Sequence, residues 1–105
     1  RPIRELVGEY QGKETDYLLR IITQIRQQPL LLHLIELTRE LYRDTVDDER
    51  LSEVLEEKGL TAFTRSLMQV LSEQTGLDEG YMPLTPIDNK LTRQIRQQLT
   101  NHLKI

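Results

Sequence analysis

Apolar residues recur along most of the chain at spacings of three and four, which is the period of an amphipathic α-helix. The chain has no run of alternating apolar and polar residues and no Asn-Gly or Asp-Gly hairpin turn. These patterns predict an all-α fold, a compact bundle of four to five short amphipathic helices.

Residues 1–13 interrupt the helical pattern because they contain one proline and two glycines, Pro2, Gly8 and Gly12. We predict that they form an N-terminal arm with about one helical turn, around residues 3–7. The rest of the chain, residues 14–105, is predicted to be a single helical bundle domain. Its first helix begins at Thr15 or Asp16, either of which can cap a helix, and ends near Gln28.

Residues 29–44 form the second predicted helix, which has the widest apolar face of the chain. Its main stripe contains Leu30, Leu34, Leu37 and Leu41. The face widens to roughly 160° when three further residues are included, Leu31, Ile35 and Tyr42. So wide a face predicts packing against more than one neighbour, and we therefore expect this helix to be the central one.

Two further helices are predicted before a long loop. One begins at the acidic residues 47–49 and ends at Gly59, and the next begins at a capping Thr61 and ends near Gly76. The two could also form one bent helix.

Residues 77–86 are predicted to be the longest loop, with three apolar side chains that are exposed or folded back over the core, Tyr81, Met82 and Leu84. The last helix is predicted to begin near Pro86. Its apolar residues follow one another at four-residue steps, as Ile87, Leu91, Ile95, Leu99 and Leu103.

The composition excludes several classes of protein. The chain of 105 residues has no cysteine, which rules out disulfides, thiolate zinc sites and thiol nucleophiles. It has no apolar run of the roughly 18 residues needed to span a bilayer. Because no targeting segment is visible, we expect a cytoplasmic protein, although the chain could be a processed form or an excised domain.

The net charge of −3 is unevenly distributed. Residues 36–57 contain nine acidic and three basic side chains, whereas residues 90–105 contain four basic side chains and no acidic one. The four bases, Lys90, Arg93, Arg96 and Lys104, are expected on the face of the last helix opposite its apolar stripe. This face either complements the acidic segment or binds an anionic partner such as a nucleic acid.

Candidate catalytic and metal-binding residues are few. His33 and His102 are the only histidines, and neither has the spacing of further ligands that a metal site requires. No serine lies near a histidine in sequence, and no phosphate-binding glycine motif is present. We therefore expect a protein that is not an enzyme and that has no metal and no cofactor.

A short stretch resembles a known family. Residues 59–64 read Gly-Leu-Thr-Ala-Phe-Thr, and Tyr81 and the Pro-Leu-Thr-Pro of residues 83–86 precede the last helix. These segments, the chain length and the helix order resemble the small four-helix assembly factor of photosystem II, although the family's long signature after the phenylalanine is absent. The resemblance implies a role in assembling that complex.

The leading prediction from the residues is a non-enzymatic helical module for protein–protein interaction, with a regulatory, adaptor or assembly role. The partner would be another protein or a second copy of the chain. Its predicted contact residues are Leu31, Ile35, Tyr42, Tyr81, Met82 and Leu84. A small nucleic-acid-binding regulator that uses the basic last helix is the alternative.

Overall fold

The computed structural model describes the backbone of residues 3–43 and 46–103 and the side chains of residues 15–43 and 46–100. The described chain folds into five α-helices and contains no strand, which confirms the predicted all-α bundle. The helices are α1 (Ile3–Gln27), α2 (Leu31–Tyr42), α3 (Asp48–Glu57), α4 (Thr61–Thr75) and α5 (Lys90–Leu103). A short 3₁₀ turn, Glu79–Tyr81, lies between α4 and α5.

Helix α1 is longer than the sequence predicts. The prediction that residues 1–13 contain about one helical turn is wrong, because the helix is continuous from Ile3 to Gln27. Gly8 and Gly12 weaken a helix by only about 1 kcal/mol each, and good helix-forming residues surround them. Thr15 therefore lies inside α1, where it is buried, and does not cap it.

The wide apolar face of α2 predicts that it is the central helix, and this prediction is wrong. It packs against α1 and α4, whereas α4 packs against α2, α3 and α5. Seven of the fifteen α4 side chains are buried, namely Phe63, Thr64, Ser66, Leu67, Met68, Val70 and Leu71. In α2 only Leu34, Leu37, Thr38 and Leu41 are buried, so part of its apolar arc faces solvent.

A glycine turn separates α3 from α4, so the alternative of one bent helix is wrong. Asp47 caps α3 by accepting a hydrogen bond from the Arg50 amide, as the acidic start of this helix predicts. Gly59 has the left-handed φ of 68°, and the Leu60 amide donates to the Leu55 carbonyl oxygen at 2.8 Å. This hydrogen bond and the burial of both leucines complete a Schellman motif.

Two predicted helix starts are wrong. Thr61 is the first residue of α4 and not its cap, which is Leu60, and α5 begins at Lys90 and not near Pro86. The Asn89 side chain accepts a hydrogen bond from the Thr92 amide at 3.1 Å, and the Asn89 amide donates to the Thr92 hydroxyl at 3.2 Å. This reciprocal pair is a capping box, which places the start of α5 after Asn89.

Helices α4 and α5 run parallel to each other. Ser66 in the first half of α4 donates a hydrogen bond to Asn89, the residue before α5, and further along both helices Arg96 donates to Glu73. Both pairs are 23 residues apart in sequence, so the two helices advance in the same direction. The connecting segment, residues 76–89, returns along α4 to make this arrangement. It is held to α4 by hydrogen bonds from the Arg65 Nε to the Thr85 carbonyl oxygen and from the Ile87 amide to the Arg65 carbonyl oxygen.

None of the helices within the described residues is both long enough and apolar enough to cross a membrane.

Candidate interaction surface on helix α2

The exposed large apolar side chains of the described residues all lie on α2 or contact it. Leu32, Ile35 and Tyr42 are α2 residues and are 70%, 43% and 45% exposed. Tyr81, 39% exposed, packs on Tyr42, and Tyr17, 40% exposed, donates a hydrogen bond to Glu36 of α2. One helix therefore concentrates the apolar surface that the core leaves uncovered. We call the group of Leu32, Ile35, Arg39, Tyr42 and Tyr81 the α2 surface.

The two tyrosines of the α2 surface join the end of α2 to the 3₁₀ turn. The ring centroids of Tyr42 and Tyr81 are 4.9 Å apart, with an angle of 61° between the ring planes. This edge-to-face contact is a favourable arrangement for an aromatic pair. The Tyr42 hydroxyl also lies 3.5 Å from the Gly76 carbonyl oxygen. Tyrosines 39 residues apart in sequence thus form one exposed aromatic patch.

The other predicted contact residues are more deeply placed. Leu31, Met82 and Leu84 are half-buried and pack against the hydrophobic core. Leu31 precedes Leu32 on α2, and Met82 directly follows Tyr81. Of the six predicted residues, Ile35, Tyr42 and Tyr81 are the exposed ones.

Sequence reasoning missed two members of the α2 surface, Leu32 and Arg39. Leu32 is the most exposed of the large apolar side chains in the described part of the chain. A signal for it exists, because Leu30, Leu31 and Leu32 are consecutive and three successive helical positions cannot all face one core. Arg39 lies between the apolar residues on the same exposed face.

A hydrogen bond between Tyr17 of α1 and Glu36 of α2 links these two helices next to the α2 surface. The Tyr17 hydroxyl donates to Glu36 Oε1 at 2.9 Å. This hydrogen bond to Glu36 is the main reason that the pKa of Tyr17 is raised above its ordinary value. The contact occupies one carboxylate oxygen of Glu36.

The predicted basic face of α5 is smaller than its sequence indicates. Arg96 faces α4, where its Nε and Nη2 donate to the two carboxylate oxygens of Glu73 at 2.8 and 2.7 Å. Its Nη2 is also 3.6 Å from an oxygen of Asp88. Lys104 lies outside the described residues, so Lys90 and Arg93 are the exposed bases that can be placed on this face.

The carboxylates that pair with α5 also differ from the expected ones. One of the two expectations from the charge distribution is that residues 36–57 complement the basic helix, but the carboxylates that Arg96 contacts are Glu73 and Asp88. The hydrogen bonds from Arg96 are the main cause of a lowered pKa for the Glu73 carboxyl. Lys90 and Arg93 line an open groove of about 700 Å³ together with Gln94, Gln97 and Gln98.

The described residues offer no metal-binding group of three or more histidine or acidic side chains. His33 is half-buried at the edge of the α2 core stripe, and its Nδ1 is buried with no hydrogen-bond partner among the described atoms. The His102 side chain lies outside the described residues.

Comparison with protein-family models, with curated proteins and with solved structures finds no match to this chain.

Proposed function

We propose that this protein is a non-enzymatic helical interaction module that binds another protein through the α2 surface. The observation that carries the proposal is that the large apolar side chains left exposed in the described chain gather on and around one helix. Scattered exposed apolar residues need no explanation, but a contiguous group of them is typical of an interaction site.

The chemistry of the α2 surface supports this proposal. Tyrosine and arginine are enriched among the residues that dominate binding energy at protein interfaces. Tyr42, Tyr81 and Arg39 supply these side chains, and Leu32 and Ile35 add aliphatic area between them. Leu31 and Met82, the chain neighbours of Leu32 and Tyr81, pack against the hydrophobic core and so anchor the backbone at these two positions.

The exposed apolar side chains of the α2 surface lie outside the hydrophobic core. Among the residues whose side chains are described, the core contains eighteen buried apolar residues, and Leu32, Ile35, Tyr42 and Tyr81 do not belong to it. We therefore expect polar replacements on the α2 surface to weaken binding while leaving the bundle folded.

The direct test is retention of a partner from native lysate by the immobilised chain, with a wash at high salt. The double variant Leu32→Gln with Ile35→Gln removes apolar area from the α2 surface and keeps its charge. We expect the natural chain to retain a defined protein at high salt and the variant to lose it, because apolar contacts are not screened by salt.

The matched control replaces Gln94 and Gln97 on α5 by alanine, at the same three-residue spacing on another exposed face. It should retain the partner. A partner kept by both variants, or lost from both, would contradict the proposal. Helical circular dichroism of each variant checks that loss of binding is not loss of fold.

A nucleic-acid-binding regulator is the second candidate, and the groove lined by Lys90 and Arg93 is the observation that favours it. Phosphate contacts would make binding fall steeply with salt. Lys90→Glu with Arg93→Glu should then abolish binding to DNA or RNA at low salt. Absence of binding by the natural chain at low salt would eliminate this candidate.

The resemblance to the photosystem II assembly factor suggests a more specific form of the main proposal, in which the partner is a subunit of photosystem II. Residues 59–64 lie at the α3–α4 turn and the start of α4, and residues 81 and 83–86 lie in the 76–89 connection. Thr85 accepts a hydrogen bond from Arg65, which directly follows the first segment. Purified photosystem II subunits are the appropriate probe. Binding that the Leu32→Gln and Ile35→Gln changes remove would support it, and no binding would eliminate it.

A further inference from the structure

Four exposed residues of α2 follow the spacing of a coiled-coil seam. Leu32, Ile35, Arg39 and Tyr42 are separated by three, four and three residues, which is the a–d–a–d pattern of a heptad repeat. All four are exposed. Helical residues with this spacing align along one edge, where a second helix can pack by inserting side chains between them.

The seam lies on the side of α2 away from the core. Leu34, Leu37 and Leu41 are buried, and at 100° per residue their mean direction is roughly 150° from that of the four seam residues. Helix α2 therefore has two apolar stripes, one that the bundle covers and one that it leaves open. The open stripe spans about three turns, which is enough length for a packed helix.

Arg39 is the polar member of the seam. Neighbouring charges are engaged within the protein, since Glu36 accepts a hydrogen bond from Tyr17 and Glu40 pairs with Arg43. A partner that covered the seam without a negative charge would enclose the Arg39 guanidinium beside apolar side chains, which is unfavourable. A charged residue at an a position is also known to select partner and register in coiled coils.

We propose that the α2 surface binds an amphipathic helix of a different protein, and that this helix places a carboxylate opposite Arg39. This inference rests on the proposed function, because it specifies what the same surface binds. The apolar residues of the partner would pack between Leu32, Ile35 and Tyr42, with Tyr81 bordering the end of the seam. The carboxylate would fix the register and exclude competing helices.

A second copy of the chain does not supply this chemistry. In a parallel pair of α2 helices, Arg39 would face Arg39, and two like charges would be enclosed together. In an antiparallel pair an a position faces a d position, so Arg39 would face Ile35 or Tyr42, neither of which carries a negative charge. Neither arrangement brings a free carboxylate to Arg39, so the geometry favours a different protein.

The test uses two synthetic helical peptides, each about three heptads long with leucine and isoleucine at the a and d positions. They differ at one central a position, which is glutamate in one peptide and lysine in the other. Fluorescence anisotropy measures binding of each peptide to the full chain and to Arg39→Glu. We expect the natural chain to bind the glutamate peptide roughly tenfold more tightly than the lysine peptide, and Arg39→Glu to reverse this preference.

Three outcomes would overturn the inference. Equal binding of both peptides, or a preference that Arg39→Glu does not change, would show that Arg39 does not select the partner. Absence of binding to either peptide would show that the seam does not accept a helix. A dimer of the natural chain in analytical ultracentrifugation that Leu32→Gln dissociates would identify a second copy as the occupant. The first two outcomes come from the peptides and contradict only this inference. The proposed function is tested separately, by retention of a partner from lysate.

Discussion

Arg96 has a different role in the fold from the one that the sequence predicts. On a helical projection it belongs to a basic face, but in the bundle it pairs with Glu73 through two hydrogen bonds. The pair connects α4 and α5 and is half-exposed, so its contribution to stability is modest and sensitive to salt.

The lowered pKa of Glu73 gives this ion pair a defined pH dependence. A carboxyl whose pKa is lower in the folded chain stabilises the fold above its unfolded value of about 4.3 and loses that contribution as the pH falls through the folded value. Arg96→Gln should therefore reduce stability at neutral pH, and its difference from the natural chain should shrink below about pH 4. Urea unfolding across this pH range measures the effect.

Arg93→Gln is the control for that experiment, because Arg93 is an exposed base on the same helix. It should change stability little at any pH. A deficit of Arg96→Gln that stayed constant down to pH 2 would show that the ion pair with Glu73 is not its cause.

Two helix ends depend on single residues, one through a left-handed backbone conformation and the other through the hydrogen bonds of its side chain. Gly59 ends α3 with a φ of 68°, and Asn89 begins α5 through its capping box with Thr92. The sequence identifies the first of these directly, since a glycine after an apolar stripe is a common helix end. It does not identify the second as readily, because Pro86 also suits a helix start and the choice depends on the contact of Asn89 with Ser66 of α4.

Gly59→Ala tests the glycine turn. A side chain in the left-handed region costs roughly 1–2 kcal/mol, and no neighbouring atom lies near the new Cβ to add or remove strain. The matched change is Gly80→Ala, at a glycine without a positive φ, where the nearest atom to a new Cβ is 3.7 Å away. Thermal unfolding should show a lower stability for Gly59→Ala and almost no change for Gly80→Ala. Equal losses of stability in the two variants would contradict the role of the turn at Gly59.

Asn89→Ala tests the start of α5. Loss of the cap and of the hydrogen bond from Ser66 should lower the free energy of unfolding by about 1–2 kcal/mol. Gln98→Ala, an exposed change within the same helix, should have little effect. If Asn89→Ala were as stable as Gln98→Ala in urea, α5 would not depend on this cap.

For the molecule as a whole, the organising element is α4, which contacts α2, α3 and α5. Periodicity predicts each helix from local sequence, but it does not report how many neighbours a helix has. The wide apolar arc of α2 therefore predicts a central position, whereas it reflects one buried stripe and one exposed seam. The parallel packing of α4 and α5 and the Tyr42–Tyr81 contact join residues far apart in sequence, so no local pattern could have revealed them.

The central role of α4 predicts a large difference between two leucine-to-alanine changes. Leu67 is fully buried in α4, so Leu67→Ala should lower the free energy of unfolding by about 2–5 kcal/mol. Leu32→Ala should change it by less than about 0.5 kcal/mol, because the side chain is 70% exposed. Urea unfolding followed by circular dichroism measures both, and similar losses would be inconsistent with the described core.

The claim on which the whole account depends is that the α2 surface is not required for folding. The most direct measurement is the free energy of unfolding in urea of the Leu32→Gln and Ile35→Gln double variant. We predict a helical chain that loses no more than about 2 kcal/mol, since Ile35 is partly covered and Leu32 is largely exposed. Loss of the helical signal, or a deficit above about 4 kcal/mol as for a buried leucine, would place these residues in the core and contradict the account.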